Sequence, residues 1–364
     1  MSSVCRFSTV LKRSLFLFCL LMLRSQYSFR EQSTMLSSLD KLVAWILTGF
    51  LAILTIFFNM YLLLINQRNY RKSTKPRLSP ADFIITAISL ASISLQVLTY
   101  FWQTLDVIDT VCRISLAGAI LLVLIFSLKF IIFWSTAFLT FYYGNKLVVE
   151  PVHCFTRIQE AIIKNVHMVL AVIVVSGFAN CVPLLSVLTY NTTTTTTTSG
   201  LSDCGSIMPT DTTGLAYIFY YVIISDIVPG IIMVKCSISI SYYLAKHLLD
   251  MKASSNSAHG PKLGTQIRVI KMTLSLVVVY VVFLIVDIVT QITVVLMRQN
   301  TLALTVLFAS IYTTVSAFVL VYGKKSYWKE LIATYNLFLD EYPCLSSMKV
   351  EEVKTEPHEN SNGH

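Results

Sequence analysis

Seven stretches of this chain run apolar for the length of a membrane crossing, near 43–65, 81–102, 113–140, 166–189, 214–245, 269–296 and 302–322. Each is near or above the roughly 20 residues that span a bilayer core. Lipid offers the backbone no hydrogen-bond partner, so each run is expected to be a helix. Two cues leave the register of the third open: the connection before it, 103–112, is short, and a Leu128-Lys129 pair pulls the other way. A shorter apolar run at 14–23 follows Lys12 and Arg13 and is too short to span. Residues 1–42 therefore read as an extracellular N-terminal segment, leader-like or part of an over-long gene model ahead of Met35, rather than as an extra helix.

The polar positions between the runs set the orientation. The first loop holds Arg68, Arg71, Lys72, Lys75 and Arg77, the third Lys146, Arg157 and Lys164, and the fifth Lys246, Lys252, Lys262, Arg268 and Lys271. The alternate loops carry no Lys or Arg in 103–112 or 190–213, and only Arg298 near 297–301. Positive charge marks the cytosolic side, which places the start of the first helix outside and the C-terminus inside. The expected fold is an all-α seven-transmembrane bundle over 43–322, of the G-protein-coupled receptor type. A juxtamembrane amphipathic helix over 323–340 follows, with Tyr327, Trp328 and Leu331 toward lipid, and then a disordered tail over 341–364. Between Ser254 and Pro261 a breaker-rich loop joins helices 5 and 6.

Composition agrees with this reading. Apolar residues make up 55% of the 364 and charged ones only 13%, against about 25% in a soluble domain. The net charge of +9 lies in the loops and does not point to nucleic acid. The eight cysteines include no Cys-x-x-Cys pair, and His153 and His167 stand apart from each other and from carboxylate pairs, so no metal site is expected. No nucleophile elbow, phosphate loop or zinc-protease motif is present, so neither an enzyme nor a cofactor is expected. Asn191-Thr192-Thr193 is a glycosylation sequon on the outer side, opening the threonine run 192–198. Cys112 and Cys204 also fall outside, where a disulfide is permitted and its geometry is open.

Charges inside membrane helices mark functional or paired sites. Asp226 lies within helix 5 and Asp287 in the outer half of helix 6, with Gln291 one turn above on the same face. With Tyr217 and Tyr221 they would line an outer, mostly apolar pocket able to hold a hydrophobic or cationic small molecule. The alternative is an internal lock between helices that touches no ligand. Pro183 and Pro229 are candidate flex points.

The rhodopsin-like signatures are missing, but a series of motifs resembles the bitter taste receptors, taste receptor type 2. Asn59-Met-Tyr-Leu-Leu-Leu-Ile-Asn66 is similar to the family's Asn-x-Phe-Ile-x-Leu-Val-Asn. Leu78-Ser79-Pro-Ala-Asp82-Phe-Ile-Ile-Thr86-Ala87 resembles Leu-Ser-x-x-Asp-x-Ile-Leu-Thr-Ala, and Leu128-Lys129, Phe133 and Phe138-Leu139 follow the helix 3 pattern. Pro229, Leu244, His247 and Met251, then Arg268, Lys271, Ser275 and Tyr280, keep the family's helix 5–6 spacing. Departures are Ser92 for the helix 2 arginine, Gln266 for the histidine opening helix 6, Ser316 alone of a His-Ser pair, and Gly323 for an asparagine. The resemblance implies a plasma-membrane chemosensory receptor for a small-molecule tastant, coupled to a gustducin-like heterotrimeric G protein. It also implies that Lys129 belongs to the G-protein-facing end of helix 3, beside Lys246, His247, Arg268 and Lys271; headgroup snorkelling is the plain alternative for Lys129. A vomeronasal type 1-like receptor shares the plan, and a transporter or channel is the rival of another class, although no internal repeat supports it.

Overall fold

Along the first helix, α1 (Met35–Lys72), the amphipathic order of a soluble protein is inverted. Thr48, Ala52, Thr55, Asn59, Leu62 and Asn66 recur in steps of three and four and are buried. Ile46, Phe50, Ile53, Phe57, Met60 and Leu64 recur in the same steps and are exposed. A helix that turns its small and polar side chains inward and its large apolar ones outward is made for lipid. The structure, a computed structural model, describes residues 35–72, 79–108, 115–147, 162, 164–194, 212–253, 260–297 and 302–341. Seven of its helices are long and apolar enough to cross a membrane.

The remaining helices are α2 (Pro80–Ile108), α3 (Ser115–Leu147), α4 (Val166–Thr194), α5 (Thr212–Val222, Ile223–Ile227 and Val228–Ala253, end to end), α6 (Gly260–Met297), α7 (Leu302–Gly323) and α8 (Lys325–Glu341). They close a ring in chain order, with α7 returning onto α1 and α2, while α3 runs through the middle against α2, α4, α5 and α6. Phe133 of α3 is the hub. Its ring meets Tyr280 and Phe283 of α6 and Tyr312 of α7 edge-on, at centroid distances of 5.2, 5.4 and 4.9 Å.

Several boundaries differ from the sequence reading. α6 begins at Gly260, so Gly260 and Pro261 open a helix instead of sitting in a loop. A proline in the first turn costs no helical hydrogen bond, because that N–H has no partner anyway. α4 continues to Thr194, which puts the backbone of Asn191 on its last turn. Tyr327 of α8 points into the protein, fully buried, and not toward lipid. Its hydroxyl bonds Asn66 of α1 and Asp82 of α2, which outweighs the lipid-facing preference of the ring. Residues 1–34, Cys112, Cys204 and the tail beyond Glu341 lie outside the described residues.

α5 is one rod in three segments: Thr212–Val222, a π turn at Ile223–Ile227, and Val228–Ala253. The cause is Pro229. A proline has no N–H to give, and its ring crowds the carbonyl four residues back, here Ser225. The helix widens just before it, and the Val228 N–H donates to the Ile223 carbonyl five residues away. Neighbouring helices take up other carbonyls of the turn: the Trp134 indole donates to Ile224 at 3.1 Å, and the Tyr280 hydroxyl to Asp226 at 2.6 Å. Gly230, one residue past the proline, lets α6 approach, since a Cβ there would stand 3.0 Å from the Tyr280 ring.

Candidate functional site

The widened turn aims Asp226 at the centre of the bundle. There the Lys129 ammonium of α3 donates to Asp226 Oδ2 at 3.3 Å and to Asp287 Oδ2 of α6 at 2.9 Å. All three side chains are buried. The rings of Phe133, Tyr221 and Phe283 stand around the ammonium at 5.3, 5.8 and 5.8 Å from their centroids. One cation thus joins three helices, and the carboxylates that desolvation would penalise singly are held in an ion-paired triad. Ser225 Oγ adds a donor to Asp226 Oδ1 at 3.1 Å.

This placement corrects the expectation for Lys129. At 1.5 Å per residue it lies roughly 27 Å along α3 from Leu147, too far to face a cytosolic partner or snorkel to the inner headgroups. The Leu-Lys motif suggested the inner end, but two buried carboxylates at the same depth hold the lysine in the middle. Counted from the observed starts of the third and fifth spans, Ser115 and Thr212, Lys129 and Asp226 lie equally deep, whereas the apolar runs of the sequence, beginning at 113 and 214, set them four residues apart.

The five residues expected around a ligand divide into groups. Asp226, Asp287 and Tyr221 surround Lys129, and Gln291 sits one turn outward of Asp287. Tyr217 stacks on Tyr221, ring centroids 6.4 Å apart, and its hydroxyl donates to the Asn180 carbonyl of α4 at 2.9 Å. The Tyr221 hydroxyl is likewise used on backbone, donating to Phe126 of α3 at 2.9 Å. Two buried acceptors, Asp287 Oδ1 and Gln291 Oε1, have no donor among the described residues. On α2, Gln96, Thr99 and Gln103 form a second polar row at helical spacing. Gln96 donates to Thr313 of α7 at 2.7 Å, while both side-chain atoms of Gln103 are buried without a partner among the described residues.

At the cytosolic end a second cluster gathers Asn66, Asp82, Lys324 and Tyr327, joining α1, α2 and α8 through the Lys324–Asp82 ion pair and the Tyr327 hydroxyl. Burial pushes the Tyr327 phenol far above its ordinary pKa, and the nearby Asp82 carboxylate pushes it further. Asn66 Nδ2 donates to Thr86 at 3.1 Å. Asn59, by contrast, donates to its own helix at Thr55, which fits a bundle with Ser92 in place of an arginine.

Of the expected G-protein-facing residues, Arg268 donates to the Tyr322 carbonyl at 3.1 Å and so fastens α6 to α7, while Lys271 is exposed. Lys246 and His247 lie on the inner end of α5, and their side chains are outside the described residues. No group of metal ligands occurs among the described residues.

A search of curated proteins returns no match for the chain. The family model for taste receptor protein (TAS2R) matches residues 35–334, well over half of the chain and all seven spans. With its seven membrane helices and their motifs, the chain belongs to the taste receptor protein (TAS2R) family.

Proposed function

We propose that this chain is a chemosensory G-protein-coupled receptor that detects a bitter-type small molecule in the outer half of its bundle and activates a gustducin-like heterotrimeric G protein. The observation that carries the reading is the pair of buried acceptors on one face of α6, Asp287 Oδ1 and Gln291 Oε1, one turn apart and without donors among the described residues. A buried acceptor left unpaired costs about 1–3 kcal/mol. A ligand with a protonated amine or another N–H donor would relieve that cost and compete with Lys129 for Asp287.

Such competition loosens the triad, and the triad is what fixes α3, α5 and α6 to one another. Binding would favour a second packing of these helices. The π turn beside Pro229 is where α5 can yield, since its hydrogen bonds already depart from the regular ladder. At the inner end the movement must release α6 from α7, where Arg268 holds it, and so open a basic cleft in which Lys246, His247 and Arg268 join the already exposed Lys271 against the G protein. Tyr217 and Tyr221 act in this scheme as aromatic walls and helix clamps.

The test is ligand-evoked calcium release from cells expressing the full chain with a gustducin-chimeric Gα, against a panel of cationic and neutral bitter compounds. Gln291→Leu leaves the triad intact and is expected to shift the response to cationic agonists about tenfold, one buried hydrogen bond's worth, at unchanged surface level. A response that needs no Gα would remove the receptor reading. Unchanged potency in Gln291→Leu would remove the pocket.

A further inference from the structure

A groove of about 810 Å³ runs between α3, α4 and α5 on the outside of the bundle, away from the triad. Its walls are apolar, with Trp134, Phe138 and Phe141 from α3, Val172 from α4 and Ile232 from α5. At its inner end stands Lys235, exposed, at the level where Gly144 of α3 packs against Cys236. Lys235 makes no ion pair or hydrogen bond with any described residue, and no acid lines the groove.

We propose that this groove binds an anionic glycerophospholipid of the inner leaflet, with its headgroup phosphate or carboxylate at Lys235 and one acyl chain lying between the helices. Charge argues for it first. Lys235 is a cation on the lipid-facing surface; exposed Lys146 lies on the inner end of α3 and exposed Lys164 just ahead of α4, beside the lining residues Asn145 and Ile162. The three lysines face the leaflet that carries the anionic lipids. Length argues second. From Gly144 to Trp134 is about 15 Å of helix, the thickness of one leaflet of a roughly 30 Å hydrocarbon core. A chain anchored at Lys235 therefore ends against the Trp134 indole. Shape is the third argument: a neutral boundary lipid has no reason to prefer this groove to the exposed stripe of α1, whereas an anionic headgroup does.

Because Trp134 donates to the carbonyl of Ile224 in the π turn, the acyl terminus would pack directly on the segment of α5 that presents Asp226.

The full chain in nanodiscs of phosphatidylcholine provides the test, with tryptophan fluorescence read as lipids brominated near the acyl terminus are added. Brominated phosphatidylserine is expected to quench more than brominated phosphatidylcholine at equal mole fraction. The excess should vanish in Trp134→Phe, shrink in the groove-filling Val172→Phe, and need about fivefold more phosphatidylserine in Lys235→Gln. That factor corresponds to the roughly 1 kcal/mol contributed by one basic side chain at an anionic surface. Val172 and Lys235 are both exposed, so neither change disturbs the core. Equal quenching by the two lipids would mean boundary lipid only and overturn the proposal. An excess that survives Trp134→Phe, or that ignores both other substitutions, would overturn it as well.

Discussion

The Tyr280 hydroxyl of α6 donates to the backbone carbonyl of Asp226 in α5 at 2.6 Å. That carbonyl belongs to the π turn ahead of Pro229, where the helix does not follow its regular hydrogen-bond ladder. The bond therefore holds α5 in the conformation that points Asp226 at Lys129. Tyr280→Phe keeps the ring in its edge-on contact with Phe133 and removes only the hydroxyl. The expected loss is about 1 kcal/mol, the size of one net hydrogen bond, read as a lower thermal midpoint of purified protein. Trp134→Phe acts on the same turn, so the two losses should not simply add. Additive losses would mean that the turn is not a single unit.

The Lys129 triad is expected to answer to charge balance. Lys129→Met leaves two buried carboxylates facing each other, a fault that costs about 3–5 kcal/mol, and surface delivery of the receptor should collapse. Combining it with Asp226→Asn and Asp287→Asn removes the charges together and should restore much of the surface level, measured by flow cytometry of an epitope-tagged chain. Wild-type delivery of Lys129→Met alone would contradict the triad.

The bundle was readable in the sequence because lipid forces it: long apolar runs and one-sided basic loops leave few other solutions. The triad was not, although Lys129, Asp226 and Asp287 each stood out. They lie 97 and 158 residues apart for the two contacts, and only packing decides which faces of three helices meet. The apolar runs set Lys129 and Asp226 four residues apart in depth, and the local Leu-Lys motif pulled the lysine toward the inner end, so the pairing did not show. Tyr327 was misread for a related reason. Amphipathicity of α8 orients an isolated helix on a membrane, whereas the observed orientation comes from Asn66 and Asp82, acceptors on other helices. The π turn left one trace, Pro229, which marks a weak point without saying how the helix resolves it.

At the cytosolic end, the buried Tyr327 phenol has a pKa raised by burial and then by Asp82. An acid whose folded pKa exceeds its unfolded value of about 10 stabilises the fold fully below that value. The contribution fades as pH climbs from there toward the folded pKa. Stability of the purified receptor should thus fall above about pH 10, and more gently in Tyr327→Phe, which removes one ionising group from the transition. A thermal midpoint followed from neutral to alkaline pH reads this directly. Equal alkaline slopes in the two proteins would mean that Tyr327 is not buried against Asp82.

Gly323 ends α7 where the family places an asparagine, and Met272 of α6 explains the exchange. A Cβ at 323 would lie 2.1 Å from Met272 Cγ and 2.5 Å from its Cβ and Sδ. The first two are atoms near the backbone, so a flexible side-chain tip cannot relieve the overlap. Arg268, one turn earlier on α6, is bonded to the Tyr322 carbonyl beside this contact. Glycine thus lets the inner ends of α6 and α7 close, and the arginine fastens them. Gly323→Ala should push the helices apart and raise agonist-independent signalling relative to surface level. Arg268→Gln should do the same more weakly, since it removes the fastener and leaves the packing. Met272→Ala in the Gly323→Ala background opens the space again and should return signalling toward wild type. Basal signalling that does not rise in Gly323→Ala at normal surface level would show that this contact does not gate the cytosolic face.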